Sequence, residues 1–102
     1  MIIIEKNEGS KIPCSVNTSK VTFDDDLTIK LASREQDWPV HIDVCFDADR
    51  ALVIGAAAGR AYIAEIDIPA RQYTETDVDG EIQLTPVPLD MDTVTLTLWS
   101  IE

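Results

Sequence analysis

WPVHIDVCFD, residues 38–47, decides the fold. Trp38, Val40, Ile42, Val44 and Phe46 alternate with His41, Asp43, Cys45 and Asp47. A period of two places the first set on one face of a pleated strand and the second on the other. The stretch therefore predicts a half-buried strand, with Trp38 among its core residues. Asp47-Ala48-Asp49 carries the side chains that turn a chain after such a strand.

The same period recurs outward in both directions. IIIE opens the chain as a short strand. SKVTFDDDLTIKLA holds two short runs split by Asp24, Asp25 and Asp26, and LASREQDW has room for one helical turn. RALVIG and GRAYIAEIDI follow, joined through GAAAG (55–59), which reads as a close-packed connection because it lacks the lysine of a phosphate loop. Tyr62, Ala64, Ile66 and Ile68 are expected on one face, with Ile63, Glu65 and Asp67 on the other. Pro69 ends that run, having no N–H for a ladder. RQYTETD, EIQLTPV and DTVTLTLWSIE complete the set.

No segment carries an apolar stripe at helical spacing over a useful length. The expectation is an all-β single domain over 1–102. Its two packed antiparallel sheets form a sandwich of jelly-roll or Greek-key type, or a small barrel, with about eight strands.

Size and charge narrow the function. The chain has 102 residues, 45% of them apolar. Folded, it would expose about 5,700 Å² against about 16,400 Å² extended, enough burial for one modest core. Nineteen acids against eight lysines and arginines leave a net charge of −11. Such a surface repels phosphate backbones and anionic lipid, so neither nucleic acid nor membrane is an expected partner. Cys14 and Cys45 are too few for a disulfide scaffold and read as free thiols. With no signal-like h-region at the start and no run of membrane-spanning length, a cytoplasmic location is expected.

Two regions carry candidate chemistry. TETDVDGEIQL (74–84) places Glu75, Asp77 and Asp79 on alternate residues before Gly80, as a calcium loop does. Position twelve of that loop would be Pro86, which has no side-chain ligand, and the flanks read as strands rather than helices. The same letters describe a hairpin turn, with glycine supplying a positive φ. Asp24 and Asp26 form a second acidic cluster. A calcium site of low affinity, or a carbohydrate site, at Asp24, Asp26, Glu75, Asp77 and Asp79 is the binding-module alternative.

The polar face of 38–47 is the other chemical candidate. His41, Asp43, Cys45 and Asp47 are all of metal-ligand type. His41 is the only histidine, which excludes multi-histidine sites within one chain. A His-Asp-Cys zinc site stays open. A Cys-His nucleophilic pair does not, because His41 and Cys45 lie about 13 Å apart along a strand. A small metal-dependent enzyme centred on His41 is therefore the third reading.

The first reading is non-enzymatic: an assembly or protein-interaction module that works by surface contact, self-association included, without a cofactor. Thr95, Thr97, Trp99 and Ile101 mark its expected interface. They form the second face of the last strand and its end, and an aromatic there is a natural interface anchor.

Overall fold

The computed structural model describes residues 1–55 and 61–101. Ten strands follow one another: β1 (Ile2–Glu5), β2 (Cys14–Asn17), β3 (Lys20–Phe23), β4 (Leu27–Lys30), β5 (Val40–Phe46), β6 (Leu52–Ile54), β7 (Ala61–Ile68), β8 (Tyr73–Val78), β9 (Glu81–Pro86) and β10 (Thr95–Leu98). Short 3₁₀ turns at Ala32–Arg34 and Met91–Thr93 are the only helical pieces among the described residues. The chain is mostly β, as its alternation demands.

The strands form three sheets and no closed barrel. One has five strands in the order β1-β10-β7-β5-β6, one has three in the order β2-β3-β4, and β8 pairs with β9 alone. Three features of the described residues differ from the sequence expectation: there are three sheets rather than two, ten strands rather than about eight, and β1 runs parallel to β10. The parallel pair joins the two ends of the described chain, so no local turn pattern announces it.

The five-stranded and three-stranded sheets share one core. Val21, Phe23, Ile29 and Leu31 from the smaller sheet pack with Ile42, Val44, Ala64, Ile66, Ile68, Leu96 and Leu98 from the larger. Phe23, Val44, Ile66 and Leu96 are completely covered. Burying a side chain of this size contributes about 1.5–3 kcal/mol, so this shared layer is the main source of stability.

The acidic turns serve the backbone. Asp24 and Asp25 both adopt positive φ, and Asp26 N–H donates to the Phe23 carbonyl at 3.0 Å, closing the β3–β4 hairpin. Asp79 and Gly80 do the same for β8–β9, with φ of 53° and 83°. Positive φ at both central residues suits the right-handed strand twist, and Asp-Gly is a preferred pair for it. Asp47 closes the turn after β5, its Oδ1 accepting from the N–H groups of Asp49 and Ala51 at 2.8 and 2.9 Å. Of the connection read at GAAAG, only Gly55 lies within the described residues.

Two side-chain expectations need correction. Trp38 is 61% exposed rather than buried. Strand β5 starts at Val40, after the proline at position 39, so the alternation does not extend back to Trp38. Around residue 63 the alternation also breaks. Val44 pairs with Ala64 but Cys45 pairs with Tyr62, leaving Ile63 as the extra residue of a β-bulge. The bulge turns Ile63 into the core beside Ala64 and leaves Tyr62 exposed, the reverse of strict parity.

The third sheet stands apart. Every residue of β8 and β9 is exposed. This arm is tied down at its base, where the Tyr73 hydroxyl donates to Asp37 and Arg71 Nη2 donates to the Glu35 carbonyl at 2.8 Å. The molecule measures 59 × 24 × 21 Å, with a radius of gyration of 16.4 Å. A compact chain of this length has about 13 Å.

Candidate functional site

The outer face of the five-stranded sheet gathers side chains that are scattered through the sequence. Its register builds two rows. One runs Ile2, Thr95, Asp67, His41 across β1, β10, β7 and β5; the next runs Ile4, Thr97, Glu65, Asp43. Each row passes from apolar at the β1 edge to charged at the centre. The expected interface residues Thr95 and Thr97 thus lie between the exposed isoleucines and the charged cluster, all half-buried or exposed.

His41 is the hub of that cluster. Its Nδ1 lies 2.6 Å from Asp67 Oδ1, and its Nε2 lies 2.7 Å from Asp43 Oδ1 and 3.6 Å from Glu65 Oε1. The protonated ring donates at both ends. The Asp67 hydrogen bond is the largest influence raising the His41 pKa above its ordinary value; partial burial opposes it, and Asp43 adds to it. Asp43 and Glu65 sit directly opposite each other, an arrangement of like charges that costs free energy unless a cation lies between them. Glu65 is also held from its other side: Trp99 Nε1–H donates to Oε2 at 2.8 Å.

Trp99 is half-buried, with Tyr62 at 6.0 Å between ring centroids and the Lys6 ammonium 5.7 Å over its own ring. Ile101 packs on the edge of the core and lines, with Tyr62, Phe46 and Arg50, a cleft of about 380 Å³.

Alternation places Cys45 on this face with His41 and Asp43. It is 1% exposed, and its thiol pKa is raised by burial, then by the charges of Asp43 and Glu65. Both cysteines are free thiols. Among the described residues, the group of three potential ligand side chains is His41, Asp43 and Glu65, with ligand atoms all within 4.8 Å. Glu65 belongs to it in place of Cys45. Local spacing could not find Glu65; only the β5–β7 register does.

The other predicted acids are placed differently. Asp24 and Asp26 lie within the β3–β4 turn, and Glu75 and Asp77 line one face of the arm beside Ile82 and Leu84, with Asp79 in its turn. Neither set forms such a three-ligand group among the described residues. No helix among them is long and apolar enough to cross a membrane. Comparison with protein-family models, curated proteins and solved structures finds no match.

Proposed function

We propose that the protein is a non-enzymatic assembly module that associates with further copies of itself through its strand edges. The carrying observation is the β8–β9 arm. Its Ile82 and Leu84 are 68% and 60% exposed on one face, and no layer of the described residues covers them. A two-stranded ribbon without a covered face is at best marginally stable in water, so an occupant for that face is expected.

The chain carries a second surface of the same kind. Strand β1 is a free sheet edge whose Ile2, Ile3 and Ile4 are all exposed. An exposed apolar edge can pair with another chain. A contact between the arm of one copy and the β1 edge of the next covers both. Because the two patches differ, the contact is head-to-tail and builds a ring or a filament.

The area agrees with this. The chain exposes 6576 Å², whereas a compact monomer of its mass exposes about 5,700 Å². That excess is surface that a compact fold of this mass would not expose. On this reading the two larger sheets are the layers of an open sandwich, and the arm is the extension that reaches the neighbour.

One observation favours a second reading. The arm carries Glu75, Asp77, Asp79 and Glu81 and no lysine or arginine. That charge suits a foreign partner with a basic rim around an apolar groove.

Sedimentation across the micromolar range separates the two. Self-assembly predicts species larger than the monomer, lost in an Ile82→Ser/Leu84→Ser variant and in an Ile3→Lys variant. Mixing those two variants should restore one dimer, since each keeps the surface that the other lacks. A wild-type chain that stays monomeric throughout would overturn self-assembly and leave the basic partner.

A further inference from the structure

We infer that His41, Asp43 and Glu65 form a binding site for one divalent transition-metal ion of the zinc class on the outer face of the five-stranded sheet. The inference is independent of the assembly reading and rests on geometry that strand register alone produces.

The donors match the chemistry. An imidazole nitrogen with two carboxylates suits zinc, cobalt or manganese better than calcium or magnesium, which prefer oxygen throughout. Metal–ligand bonds of about 2.0–2.1 Å in a tetrahedral site separate neighbouring ligand atoms by about 3.3 Å. His41 Nε2 lies 2.7 Å from Asp43 Oδ1 and 3.6 Å from Glu65 Oε1. Small torsions of exposed and half-exposed side chains bridge those differences. Three protein ligands leave the fourth position to water.

The supporting groups are also those of a metal site. Asp67 accepts from His41 Nδ1–H at 2.6 Å, which fixes the tautomer with Nε2 toward Asp43 and Glu65. Trp99 holds the outer oxygen of Glu65 at 2.8 Å, which leaves Oε1 directed at His41. Two of the three ligands are thus oriented from behind, His41 by a partner on β7 and Glu65 by the residue just beyond β10.

Charge points the same way. Asp43, Glu65 and Asp67 surround one imidazole, and among the described residues His41 is the only basic side chain paired with them. Even when protonated, His41 offsets at most one of three negative charges. A divalent ion replacing that proton at Nε2 brings the cluster closer to neutrality and separates the opposed carboxylates of Asp43 and Glu65.

Titration calorimetry with zinc chloride, in a buffer that does not chelate zinc, tests the site. The expected result is one equivalent bound, with affinity falling at least tenfold in each of His41→Gln, Asp43→Asn and Glu65→Gln. Asp67→Asn should weaken binding by about 10–100-fold through orientation alone. Asp24→Asn/Asp26→Asn and Cys14→Ser should leave the affinity unchanged. In the unaltered chain, cobalt should shift the imidazole proton resonances of His41 paramagnetically, a readout that no variant's folding can disturb. Absence of saturable zinc binding at high micromolar concentration would overturn the site. So would binding unaffected by His41→Gln and Glu65→Gln, or cobalt shifts that spare His41.

Discussion

Trp99 donates its indole N–H to Glu65 Oε2 at 2.8 Å, so the residue just beyond β10 holds a carboxylate in the middle of β7. The contact is partly buried, and hydrogen bonds to charged groups are worth more than neutral ones. Replacing Trp99 by Phe keeps most of the ring and removes the donor. The expected loss is about 1–2 kcal/mol in chemical denaturation, since a half-covered carboxylate loses its partner. A change below a few tenths of a kcal/mol would mean that water takes over the donor's place.

The titration of His41 gives a second prediction. Its pKa is raised first by the hydrogen bond to Asp67, against some loss from burial, and further by Asp43. A raised folded value means that the protonated ring stabilises the fold fully below the ordinary value of about 6.5. That contribution disappears as pH rises through the folded value. Proton NMR of the imidazole should show titration above the ordinary range, and Asp67→Asn should move it down. The groups facing the ring are Asp43 on its own strand and Glu65 and Asp67 on β7.

The shared core makes a third prediction. Phe23 is completely buried between the two larger sheets. Phe23→Ala should cost about 3–5 kcal/mol, through lost transfer energy and the cavity left behind. That is a large share of the stability of a domain this size, about 5–15 kcal/mol. Urea denaturation checks it, and a cost under 1 kcal/mol would contradict a core common to both layers.

Gly80 provides the fourth. Its φ is +83°, and a Cβ there would meet no atom within 4 Å. The penalty for a side chain is therefore backbone strain alone, about 1 kcal/mol for alanine. The arm has little stability to spare, so Gly80→Ala should speed amide exchange at residues 74–85 while leaving β5 and β7 protected. Uniform change across both regions would show that the arm and the core open together.

Much of the architecture is legible in the residues. The alternation of 40–44, the short 3₁₀ turn at Ala32–Arg34, the aspartate turns and the stop at Pro69 all follow from local chemistry. What is missed arises from contacts between distant segments. The bulge at Ile63 depends on how β5 and β7 align, and nothing local marks it. Glu65 joins His41 and Asp43 for the same reason, through a register that pairs residue 43 with residue 65. Trp38 misleads because period-two parity does not carry across the proline at position 39. The arm is readable as a hairpin, but that no layer covers it is a property of the whole fold.

The parallel pairing of Ile2–Glu5 with Thr95–Leu98 has a kinetic consequence. Closing a loop of that span costs about 4 kcal/mol of chain entropy before its contacts are gained. The five-stranded sheet can therefore finish only after its last strand has emerged from the ribosome. Until then an isoleucine-rich segment waits unpaired, exposed to whatever holds nascent chains.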